Sequence, residues 1–105
     1  MVVEPYFTSL ETGRRMIGLG RQLEPTRLAL VANKMQSRGE RRLVDDLAAD
    51  EGVELIAEIP HDVSMLEADL AAAALLDYDP HTPAIAAIDA LAERLLSGET
   101  LPAAA

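Results

Sequence analysis

The apolar positions of this chain fall into short runs and helical stripes that alternate along it. Val2 and Val3 form a brief β-branched run, closed by Pro5, which cannot donate to a sheet ladder. From residue 8 to about 23, Leu10, Ile17 and Leu23, with Met16 and Leu19 beside them, give a helix an apolar face. Thr8 and Glu11 have capping-box spacing at its start, and Pro25 would close it. Gly13, Gly18 and Gly20 each weaken such a helix by about 1 kcal/mol relative to Ala, or instead allow close packing on a sheet. Residues 28–32, LALVA, are a continuous apolar run stopped by Asn33 and Lys34, the pattern of a strand buried on both faces.

Ser37 and Glu40 form a second capping box, opening a helix from Arg38 to about Asp50 with Leu43, Val44, Leu47 and Ala48 on one face and Gly52 as its stop. Residues 53–59, VELIAEI, read as a third strand ended by Pro60, and its partial alternation with Glu54 and Glu58 predicts a sheet edge. Ser64 and Glu67 form a third box for a helix through about Leu75, followed by a loop over residues 77–83. Thr82 and Pro83 open a last helix with the stripe Ile85, Ile88, Leu91 and Leu95. Residues 97–105 read as a frayed tail. The order β-α-β-α-β-α-α predicts an α/β fold: a three-layer α-β-α domain with a partial parallel sheet of three strands and four helices over residues 1–96.

With 105 residues, the chain makes one small domain. Half of it is apolar but only three residues are aromatic, so the core must be aliphatic and Ala-rich. The net charge of −9 argues against non-specific nucleic-acid binding and against anionic membrane surfaces. Without cysteine there is no disulfide, no zinc-thiolate site and no thiol nucleophile. No stretch matches a membrane span or a signal peptide, and a cytoplasmic location is expected.

Ligands of open α/β sheets bind beyond the carboxyl ends of the strands. Two strand ends here would deliver Asn33 and Lys34, and Pro60, His61 and Asp62, to one rim. Taken alone, Asn33 and Lys34 also fit an ordinary strand-to-loop turn. His61 and His81 lack the spacing of a metal pair and read as surface residues. Asp45, Asp46, Asp50 and Glu51 read as a solvated acidic helix face, and the pairs Arg14-Arg15 and Arg41-Arg42 as solvated rather than phosphate-binding.

In this order and spacing, the strings VVEP, TSLET, LALVANK, ELIAEIPHD and LEADL resemble the C-terminal half of MinD/ParA-type P-loop ATPases. Within that superfamily they are most similar to the CooC-type accessory ATPases of carbon monoxide dehydrogenase maturation, which serve nickel insertion. The resemblance spans residues 2–96 and implies an incomplete P-loop nucleotide-binding domain. It implies that Asn33 hydrogen-bonds adenine and that Pro60, His61 and Asp62 line the base pocket, with Lys34 either a ligand contact or a solvated lysine. A carboxamide suits a base edge because it offers both a donor and an acceptor. Gln36 stands where a guanine-reading Asp would be.

The sequence has no G-x-x-x-x-G-K-[ST] loop and no cysteine pair of the CooC type. The expectation is therefore adenine contacts to ATP or ADP, no magnesium site and no hydrolysis by this chain alone. The expected partner is a second copy or a chain that carries the P-loop. The bare edge of the first strand, where the P-loop strand would pair, is the expected sign of a truncated domain. The alternative is a stand-alone interaction module that kept the fold, lost nucleotide binding and docks through that edge or its helix faces.

Overall fold

The structure, a computed structural model, describes residues 1–23 and 27–97. Pro25 and the tail beyond residue 97 lie outside the described residues. Three strands, β1 (Val2–Val3), β2 (Ala29–Met35) and β3 (Glu54–Pro60), form one parallel sheet in the order β1-β2-β3. Five helical segments accompany them: α1 (Phe7–Gln22), α2 (Arg38–Glu51), α3 (Val63–Leu70), α4 (Leu75–Tyr78) and α5 (Pro83–Leu96).

β2 is the central strand, and its run from Ala29 to Ala32 is buried throughout. β1 lies beside it with Val2 opposite Val31 and Val3 opposite Ala32. Val31 N donates to Met1 O at 2.7 Å, and the Met1 ammonium donates to Ala29 O at 3.0 Å. On its other side, Leu30 faces Leu55 but Val31 faces Ala57, so Ile56 is an extra residue. This bulge reverses the alternation of β3. Leu55 therefore packs on one side of the sheet and Ile59 on the other, which is why the sequence alternates only in part.

Two clusters give the layers. Val3, Leu30, Ala32 and Val53 of the sheet region pack with Ile17 of α1 and Val44, Leu47 and Ala48 of α2. A smaller cluster joins Ala68 of α3, Leu75 of α4 and Ala84 of α5 to Ile59. Helices thus cover both faces, the α/β arrangement that the alternating pattern implies.

Several local expectations need correction. α1 starts at Phe7 after Tyr6 with no side-chain cap, so the Thr8–Glu11 box does not form. Ser9 Oγ instead accepts from Glu4 N at 2.9 Å, and Thr12 Oγ1 donates to Thr8 O. Only Ile17 of the expected apolar face is fully buried; Met16, Leu19 and Leu23 are exposed. Gly13 accounts for the close approach of α1 to the sheet, because a Cβ there would lie 2.6 Å from Val3 Cγ1. A Cβ at Gly18 would meet nothing within 4 Å.

α2 follows its sequence signals. Ser37 Oγ accepts from Glu40 N at 3.2 Å, although Glu40 reaches back to Gln36 N rather than to Ser37 N. Gly52, at φ 64°, ends the helix: Val53 N donates to Ala48 O and Gly52 N to Ala49 O, a Schellman motif. Some of the arginines and acids of α1 and α2 are paired rather than simply solvated. Arg14 and Arg21 both bind the Glu51 carboxylate, at 3.0 and 3.3 Å, and Arg21 Nη2 also donates to Glu51 O. Arg41 bridges Asp45 and Glu58.

The expected helix over residues 64–75 is two helices. Its start is Asp62, not a Ser64–Glu67 box, and it stops at Leu70. Ala72 adopts φ 54°, Ala73 N donates to Ala68 O at 2.9 Å, and Ala72 N donates to Asp69 O at 3.0 Å. This is a second Schellman motif, with alanine where glycine is usual. α4 then occupies part of the expected loop. Thr82 caps α5, its Oγ1 accepting from Ile85 N at 3.2 Å. α5 packs on β3, where Arg94 Nη1 donates to Ile56 O at the bulge. Its expected stripe is only half covered: Ile85 packs against the smaller cluster, and Ile88 and Leu95 are exposed.

Candidate functional site

β2 and β3 run parallel, so their carboxyl ends lie at the same edge of the sheet. His61 N donates to Met35 O at 2.9 Å and holds the two ends together. A cavity of about 560 Å3 opens at this edge, within the size range of small-molecule pockets. Asn33, Lys34, Pro60, His61 and Asp62, all five residues singled out in the sequence, line it.

Each is held by its local chain. Asn33 is half-buried, and its Oδ1 accepts from Lys34 N at 2.9 Å. The bond steadies an irregular step, because Lys34 sits at φ 58° where β2 and β3 lose register. The Lys34 ammonium is 2.8 Å from Glu4 Oε1 at the end of β1, and that hydrogen-bonded carboxylate raises its pKa. Lys34 is thus tied across the sheet rather than free in solvent.

Asp62 joins three elements. It precedes α3 as its N-cap, Oδ1 accepting from Ser64 N at 2.9 Å, and Oδ2 accepts from Ala84 N at 3.3 Å in the first turn of α5. Burial pushes its pKa up, but the Ser64 and Ala84 amides and the Thr82 and Ser64 hydroxyls outweigh this and leave it below the ordinary carboxylate value. Thr82, only 3% exposed, completes this small polar cluster. His61 is exposed at the rim. Among the described residues, no group of three or more His, Cys, Asp or Glu is placed to hold a metal ion.

The other walls were missed in the sequence. Tyr6 comes from the turn before α1, Met65, Leu66 and Asp69 from α3, and Ala73 and Ala74 from the turn after it. The reading of one unbroken helix hid that turn, since an alanine run carries no stop signal. Asp62 was the available signal, as a capping residue two positions before Ser64. Chemically, the lining is mostly apolar, with the Asn33 carboxamide and the side chains of Lys34, His61, Asp62 and Asp69 as its polar groups.

No protein-family model matches the chain, and no curated protein does. Among solved structures, the chain is similar to the MinD cell division protein of Aquifex aeolicus, with a TM-score of 0.74 and 26% identity over 96% of this chain and 44% of that one. It is equally similar to a chain of the MinC:MinD cell division protein complex of Aquifex aeolicus, with a TM-score of 0.74 and 26% identity over 96% of this chain and 43% of that one. The chain thus spans less than half the length of the MinD structures it matches. No described helix is long and apolar enough to cross a membrane. The sheet order, the helical layers and this likeness together give the chain an α/β fold similar to the matched part of the MinD structures.

Proposed function

We propose that this chain forms the base-binding part of a MinD/ParA-type nucleotide site and takes the adenine of ATP or ADP. One observation carries the reading: two strand ends of a MinD-type fold bring Asn33 and the Pro60-His61-Asp62 segment to a single cavity of about 560 Å3. In this reading the Asn33 carboxamide addresses the base edge, and the backbone around Pro60 and His61 lines its plane. Asp62 acts by fixing the rim, since both its oxygens accept backbone amides. Lys34 holds the β2 end through Glu4.

The sequence contains no glycine-rich lysine loop, so the phosphates and magnesium are handled by residues outside it that carry such a loop. We propose no hydrolysis by this chain alone, a cytoplasmic setting, and closest kinship with the CooC-type branch, on the strings TSLET, LALVANK and ELIAEIPHD.

Calorimetric titration with ADP tests the reading. Asn33→Ala should abolish the heat of binding. Asn33→Asp keeps the oxygen that accepts from Lys34 N but removes the NH2 donor, and should also abolish it. Binding retained by Asn33→Asp would reject the base-edge role. Measurable phosphate release from ATP and magnesium by the wild-type chain would reject the claim of inactivity. The second reading, an interaction module, is favoured by exposed apolar side chains on several helices, and a wild-type chain that binds no nucleotide would support it.

A further inference from the structure

We propose that the outer face of α3 and α4 is a docking surface for a basic amphipathic helix of another protein. α3 buries only Ala68 and turns Val63, Leu66 and Leu70 outward, at 62%, 62% and 80% exposure. Their spacing of three and four residues places them in one stripe on the helix surface. Glu67 and Asp69, both exposed, flank that stripe on its two sides. α4 is joined to this flank by Tyr78, whose hydroxyl donates to Glu67 Oε2 at 3.5 Å, and Leu76 of the same helix is exposed.

Charge selects the occupant. From residue 43 to residue 93 the sequence has no Lys or Arg, and every cation but Arg94 lies between Arg14 and Arg42. The α3–α4 face is therefore apolar with acidic rails and with no cation on either helix or their connection. A helix laid in such a groove uses apolar anchors at i, i+3, i+4 and i+7. Lys or Arg beside those anchors would meet Glu67 and Asp69 and gain in encounter rate and register. A second copy is the weaker fit, because each chain carries −9. Leu66 and Asp69 also border the cavity, but Val63, Glu67 and Leu70 do not line it, so the proposal does not rest on the nucleotide reading.

The test uses a synthetic amphipathic peptide of leucine and lysine, about 18 residues or five turns long, with its leucine–glutamate counterpart as control, read by fluorescence anisotropy. The wild-type chain should bind the basic peptide and not the acidic one. Val63→Ser with Leu70→Ser, both at exposed positions, should weaken binding about tenfold or more. Glu67→Lys, outside the cavity lining, with Asp77→Lys on α4 should do the same. Asp46→Lys with Asp89→Lys makes the same change in net charge on α2 and α5, and should alter binding less than about threefold.

Equal weakening by the two lysine pairs, or no loss from the serine pair, would reduce the effect to overall charge and overturn the proposal. So would absence of peptide binding. Self-association of the wild-type chain in light scattering, lost in the serine pair, would make a second copy the occupant and overturn it equally.

Discussion

Asp62 stands where the cavity meets the second layer of helices, and its protonation reaches both. Its pKa lies below the ordinary carboxylate value, so it contributes stability at pH above that ordinary value. The contribution is lost as pH falls through the folded pKa. Asp62→Asn keeps a capping oxygen but no charge. The wild-type advantage over this variant in urea midpoint should be present at pH 7 and shrink toward pH 3. An advantage that stays constant across that range would contradict the assignment.

Gly13 and Gly18 make a second residue-scale contrast. Both lie in α1, where alanine is intrinsically better by about 1 kcal/mol. At Gly18 the space is open, and Gly18→Ala should stabilise by about 0.5–1 kcal/mol. At Gly13 the new methyl group would press on Val3, which is buried in the core, and Gly13→Ala should cost about 1–2 kcal/mol. Urea unfolding of the two variants reads the opposite signs directly. The sequence offered both meanings for these glycines, and only the distance to Val3 separates them.

At the scale of the element, two helix ends share one geometry with different residues. Gly52 and Ala72 both take positive φ in Schellman motifs. A left-handed alanine costs about 1 kcal/mol that glycine does not. Ala72→Gly should therefore raise stability by about 1 kcal/mol and Gly52→Ala should lower it by a similar amount, measured by thermal or urea unfolding. The glycine made the end of α2 legible in the sequence. The end of α3 was not legible, because Ala71–Ala74 favour helix by propensity. Tertiary packing of Leu75 against Ala68 and Ala84 is what turns the chain there.

The Ile56 bulge is a similar case. Partial alternation marked β3 as an edge strand, but one inserted residue decides which side chains face which layer. The capping signals divided likewise: Ser37 and Thr82 cap as read, whereas Thr8 and Ser64 are bypassed by N-caps two residues earlier, Tyr6 and Asp62. A capping box is a local pattern, and the neighbouring strand end fixes where the helix begins.

For the whole molecule, the alternating pattern was enough to give the parallel sheet, its central strand and the edge that gathers Asn33, Lys34, Pro60, His61 and Asp62. Chain topology alone converges these residues, which is why they could be found without contacts. The apolar walls from Tyr6, Met65 and Leu66 depend on how α3 leans over that edge, and no sequence period encodes it. The same lean leaves the outer face of α3 exposed among the described residues, and Leu66 and Asp69 stand on the border that the stripe shares with the cavity.

The central claim is that adenine enters this cavity. The most direct measurement is the change in amide 1H–15N NMR shifts on titration with ADP. Shifts concentrated at Asn33, Lys34, His61, Asp62, Ala73 and Ala74 and absent from the Asn33→Asp variant are the predicted result. An unchanged spectrum, or shifts centred on α1 and α2 instead, would contradict it.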